Sequence, residues 1–214
     1  MSFHRFITVS FLLIIGILPL SGLPIPLGQL EIGLESSDGY QEGLAYLSTD
    51  EEGSSLEILI GYKGFGLDTV CWTFSAADMS SFRTASADAA WWRSRLLEMN
   101  VEQKVIRDAA TISPRLVYSY RETEFPFDSS GSILRFVRQG HDYALLLTES
   151  SPGADTRRSG DKTLPVFTLH FPGRGLPDLR DMISEDNTSR ILADYASEKA
   201  TINAILNSGP ESAE

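Results

Sequence analysis

Residues 75–100 read SAADMSSFRTASADAAWWRSRLLEMN, and this stretch decides the fold class. Ser75 and Asp78 have the spacing of a capping box, in which a serine hydroxyl accepts from an early amide and an acid reaches back. Phe82, Ala85, Ala89, Trp92, Leu96 and Met99 then recur at spacings of three and four. That is one continuous helical stripe, ended near Asn100. The alanines of its first half let such a helix lie close against a sheet.

On both sides of the helix the apolar period changes to two. Upstream, residues 30–34, 43–47, 56–62 and 68–74 read as strands, and Leu56, Ile58, Ile60 and Tyr62 share one face. The polar run STDEEGSS at 48–55 and Lys63-Gly64-Phe65-Gly66 are the turns between them. Downstream, strands are expected over 103–106, 115–121, 132–138, 141–148 and 164–171, with Leu116, Tyr118 and Tyr120 on one face of the second. A hairpin around Gln139-Gly140 with a two-residue loop pairs Phe136 with Tyr143 and Leu134 with Leu145, a four-residue loop being the alternative.

Residues 149–163 (ESSPGADTRRSGDKT) have no apolar period and read as a mobile loop. Asn187 is placed to cap a last helix with Ile191, Leu192, Tyr195, Ile202, Ile205 and Leu206 on its apolar face. The tail 207–214 should fray. Strands surround a long helix without regular alternation, which indicates α+β. The expectation is a mainly antiparallel sheet or sandwich of about eight to nine strands, one long amphipathic helix inserted mid-chain, and a C-terminal helix.

The amino terminus carries the clearest statement about destination. Arg5 precedes an almost wholly apolar run over 6–20 (FITVSFLLIIGILPL), and no further charge occurs until Glu31. This is the order of a secretory signal, with Pro19, Pro24 and Pro26 closing it before a conventional membrane span is complete. Cleavage after Gly22 would leave one domain over 23–206. The Pro19-Leu20-Ser21-Gly22 stretch is a poor small-x-small site, so an uncleaved anchor is the alternative. No cysteine lies near it for a lipid anchor. The expected location is therefore secreted or periplasmic, with contact to a membrane only through a retained leader.

The chain has 18 basic and 29 acidic residues, a net charge of −11. Losing Arg5 with the leader leaves 17 against 29, or −12. Such a surface repels nucleic acid and anionic lipid. Cys71 is the only cysteine, so an internal disulfide is excluded and the fold rests on its core. Its setting in the alternating TVCWTF at 69–74 reads as a small buried hydrophobe rather than a nucleophile.

Motifs that carry chemistry are few. Gly160-Asp161-Lys162-Thr163 resembles a phosphate loop, but the order is wrong and a strand follows where a helix is required. Gly61, Gly64 and Gly66 stand in a strand–turn–strand context, and no nucleophile elbow or zinc-protease motif occurs. Asp50-Glu51-Glu52 lacks the alternating ligands of a calcium loop. Asn187-Thr188-Ser189 matches a glycosylation sequon that a helix cap already explains. His141 reads as a turn residue, and His170, between Leu169 and Phe171, reads as structural. No cofactor or metal is expected.

Trp91 is rotated by about 100° from Trp92 around the helix, at the border of the apolar stripe. With Arg95 one turn on, it is the expected contact for a partner, an unknown protein or envelope component. The functional expectation is an exported, non-enzymatic domain with a binding or structural role. The rival is an extracytoplasmic hydrolase using carboxylates with His141 or His170, and a histidine–carboxylate pair at a cleft would favour it.

Overall fold

The computed structural model of the chain describes residues 24–64, 67–121, 123–129, 131–149, 156–159 and 162–208. The expected leader at 1–22, residues 65–66 of the glycine turn, and much of the expected loop (150–155, 160–161) lie outside the described residues, as does the tail 209–214.

The fold is mainly antiparallel β with helices, broadly the α+β class. In chain order the first strands are β1 (Ile25–Ser36), β2 (Gly39–Thr49), β3 (Leu56–Gly64) and β4 (Leu67–Phe74), followed by α1 (Ala76–Glu98). Then come β5 (Val105–Ile112), β6 (Arg115–Tyr120), β7 (Thr123–Asp128), β8 (Ser132–Gln139) and β9 (Asp142–Thr148). The hairpin β10 (Thr156–Ser159) and β11 (Lys162–Pro165) precedes β12 (Thr168–Pro172), a 3-10 turn (Gly173–Gly175), α2 (Leu176–Met182) and α3 (Glu185–Ser208). Ten strands form one sheet in the order β5-β8-β9-β12-β1-β2-β3-β4-β6-β7, and β10-β11 pair separately.

That order bends the sheet. β5 and β7 are its two edges, yet only Ser113-Pro114 joins β5 to β6. A link of that length spans roughly 10 Å, so the two ends of the sheet must meet at this corner. Hydrogen bonds tie it: Ser129 N donates to Pro114 O at 3.1 Å, and Gly131 N to Ser113 Oγ at 3.3 Å. The sheet therefore curls around its own inner face, where Leu30, Ile32, Leu34, Leu47, Ile58, Trp72, Leu116, Leu145 and Phe171 are buried.

Helix α1 fills the open side of this curl. Ser75 Oγ accepts from Asp78 N at 3.3 Å and donates to Asp78 Oδ2 at 2.8 Å, so the serine caps the helix as expected while the acid reaches back to the hydroxyl rather than to the Ser75 amide. The other Asp78 oxygen accepts from Ser113 N at 2.9 Å, which pins the start of α1 to the end of β5. Phe82 is fully buried between Phe74 of β4 (5.2 Å) and Phe171 of β12 (5.5 Å). Farther on, Trp92 rests on Phe136 of β8 at 5.5 Å, under the guanidinium of Arg107 at 4.4 Å. Ala85, Ala89 and Ala90 are buried, as the close approach expected of small residues requires.

Several expectations are corrected. The sheet has ten strands and a separate hairpin, and α2 is an additional helix. β5 continues to Ile112, past a bulge at Asp108/Ala110 that disrupts its alternation. β7 was hidden by Pro126, which sits on an edge strand where no ladder donor is needed. The expected strand 164–171 divides between β11 and β12, and part of the expected loop is strand β10.

The β8–β9 turn is Gly140-His141, closed by Gln139 opposite Asp142, so Phe136 faces Leu145 and Leu134 faces Leu147. This slip of two preserves which side chains point inward. Gly140 has φ 64°, the left-handed conformation that such a turn demands. Met99, the C-cap residue of α1, is 73% exposed, so the apolar stripe does not reach the helix end. Ser184, not Asn187, caps α3, its Oγ accepting from Asn187 N at 3.2 Å. Asn187 instead donates from its side chain to Met182 O at 2.8 Å. Asn207 and Ser208 still belong to that helix.

Candidate functional site

Leu30, Ile32 and Leu34 point into the core, so Glu31, Gly33 and Glu35 of β1 must face outward. The pairing places Gly33 between Glu42 of β2 and His170 of β12, with Glu35 opposite Tyr40 and Glu31 opposite Leu44. Gly33 contributes no side chain to this row, and a cleft of about 300 Å³ opens over it. Its lining includes Glu31, Tyr40, Glu42, Leu44, Pro172 and Arg174.

The Tyr40 ring lies across Gly33: a Cβ there would stand 2.5 Å from Tyr40 Cε2 and closer still to Cζ and Oη. Only glycine leaves room for it. The far wall depends on a second glycine, since a Cβ on Gly173 would meet Tyr143 Cβ at 2.6 Å and its carbonyl oxygen at 2.9 Å. That tight passage lets the chain leave β12 and present Arg174, whose Nη2 donates to Glu31 Oε2 at 2.7 Å.

Tyr40 is 54% exposed and Leu44 40%, so the cleft offers an aromatic ring and an aliphatic side chain to solvent. Burial of the phenol pushes its pKa upward, the charges of Glu42 and Glu35 push the same way, and Arg174 opposes them. Negative charge therefore dominates around the hydroxyl.

His170 is partly shielded and does not itself line the cleft. Its Nε2 is 2.8 Å from Glu35 Oε2, and its ring meets Tyr40 edge-on at 5.3 Å. The imidazole thus backs the tyrosine. His141 is elsewhere, exposed in the β8–β9 turn. Leu146 stands opposite His170, five residues along β9 from His141, or about 17 Å of strand.

Trp91 is 59% exposed, and the Arg95 guanidinium lies 5.8 Å from its ring while pairing with Glu98 at 2.8 Å. Neither residue lines the cleft. Arg93 turns away from them, its Cδ lying 3.3 Å from where a Cβ on Gly173 would be. Cys71 is half-buried on β4, opposite Leu59 and Val117. Burial first, and then the charge of Glu57, pushes its thiol up to about 12. In the acidic turn Asp50 accepts from Ser54 N, Ser54 Oγ and Ser55 Oγ at 2.7–2.8 Å, and Glu51 accepts from Lys199 Nζ of α3 at 2.7 Å.

The sequence reading missed Gly33, Tyr40, Glu42 and Arg174. Period two already set Glu31, Gly33 and Glu35 on one face. What it lacked was the pairing of β1 with β12, whose partners are more than a hundred residues apart. No family model, no curated protein and no solved structure matches this chain.

Proposed function

We propose that this chain is an exported, non-enzymatic binding domain that holds its ligand in the cleft over Tyr40. The observation that carries the reading is preorganisation. The ring is already laid over Gly33 and backed by His170, and the Glu31–Arg174 and Glu35–His170 pairs orient the charged groups around it. Exposed pairs of this kind contribute only about 0–1 kcal/mol each to stability. Their use here is orientation, which lowers the ordering cost of binding. Export rests on the apolar run after Arg5, and amino-terminal sequencing of the secreted protein tests it: the first residue should be Leu23. Trp91, with Arg95 beside it, is a separate contact for a protein partner.

A screen of small molecules and short peptides by thermal shift tests the cleft. Compounds that stabilise the wild type should lose their effect in Tyr40→Ala. Equal stabilisation of both proteins refutes the assignment.

The Glu35–His170 pair favours a second reading, the hydrolase. A carboxylate on one ring nitrogen is how a general base is oriented, and the cleft begins one ring away. In that case turnover of a cleft substrate vanishes in His170→Ala and is unaffected in His141→Ala.

A further inference from the structure

We infer that the cleft takes a cationic alkyl side chain, a lysine or arginine of a basic peptide. This rests on the binding reading above and names its ligand class.

Three features converge. Glu31 is engaged by Arg174 and Glu35 by His170, whereas Glu42 has no basic partner among the described residues. Two positions before it on the same outward face of β2 is the Tyr40 ring, and two positions after it is Leu44. Pro172 closes the opposite side. A lysine or arginine stem would lie on Leu44 and Pro172, burying its methylenes. Its charged head would then reach the Glu42 carboxylate with the Tyr40 ring beside it, which combines an ion pair with a cation–π contact.

The electrostatics select the sign. Arg174 is the cleft's own cation and is neutralised by Glu31, so the unpaired charge left in the lining is that of Glu42. Around Tyr40 the acidic influence outweighs that of Arg174, consistent with this count. The whole chain carries −11, which adds long-range attraction for a basic peptide and repels an acidic one. A neutral ligand of the same shape would use the ring and the aliphatic walls but leave Glu42 uncompensated.

The test is an NMR titration of the protein with the capped tripeptide Gly-Lys-Gly and with its Nε-acetyl-lysine counterpart, a neutral analogue of similar stem. The lysine peptide should shift the amides of Gly33, Tyr40, Glu42 and Leu44. Acetylation should weaken it at least tenfold, and so should Glu42→Gln, an exposed change that leaves the fold intact. Raising the salt from about 0.01 M to about 1 M shortens the screening length from ~30 to ~3 Å and should weaken binding likewise. Binding that survives acetylation and Glu42→Gln but is lost in Tyr40→Ala overturns the cationic class and leaves the cleft assignment standing. Shifts that survive Tyr40→Ala as well overturn both.

Discussion

Gly33→Ala separates the cleft from the stability of the fold. The backbone at Gly33 is ordinary extended strand, so alanine meets no backbone strain. What the new methyl meets is the Tyr40 ring, the far end of an exposed side chain rather than backbone. The ring can swing outward. Two small terms then oppose each other. Replacing a strand glycine by alanine gains about 0.5–1 kcal/mol from the unfolded chain. Losing the edge-on contact with His170 costs about 0.5–1.5 kcal/mol. The net change in unfolding free energy should therefore stay within about 1 kcal/mol, read from urea unfolding. The nuclear Overhauser contacts between the Tyr40 and His170 rings should vanish, and cleft ligands should bind less tightly. A loss of more than about 2 kcal/mol, or ring contacts that persist, would refute the placement of Tyr40 over Gly33.

Other outcomes follow from the same structure. Phe82→Ala empties a fully buried site between Phe74 and Phe171 and should cost about 3–5 kcal/mol by denaturant unfolding. Trp91→Ala removes an exposed ring and should change stability by less than about 0.5 kcal/mol, with cleft binding unaltered. Cys71 should resist alkylation at about pH 8 in the folded protein and react once urea unfolds it. Because its folded pKa of about 12 lies above the ordinary 9.0, its contribution to stability is whole below pH 9.0 and is lost as the pH rises toward 12. Cys71→Ala should flatten that alkaline decline in a pH series of melting curves.

Local signals were legible wherever one face is buried and the partner is near in sequence. The Leu56, Ile58, Ile60 and Tyr62 face is buried as read, and so are Phe82, Ala85 and Ala89 of the helical stripe. The stripe fails at Met99, the exposed C-cap residue, because periodicity reports amphipathicity and not which turns of a helix are covered. The failures lie where the backbone departs from regular pairing. Pro126 masked an edge strand, a bulge broke the alternation of β5, and Gly140 rather than Gln139 opens the hairpin turn. The proline and the bulge depend on where a strand lies in the sheet, and the hairpin on the register between two strands already paired. The cleft is the extreme case, since residues 31–35, 40–44 and 170–174 meet only through the pairing of β1 with both β2 and β12. Trp91 drew attention in the sequence because it is large and stands at a helical border. Tyr40 gave no such signal, its position over a glycine being a fact of register.

The central claim, that the outer face of β12-β1-β2 is where this domain binds, is tested most directly by mapping fragment hits on assigned backbone amides. Fragments that bind the protein should shift Glu31, Gly33, Tyr40, Glu42, Leu44 and Arg174 together, and those shifts should disappear in Tyr40→Ala. Hits that gather instead around Trp91 and Arg95, or scatter without touching β1 and β2, would contradict it.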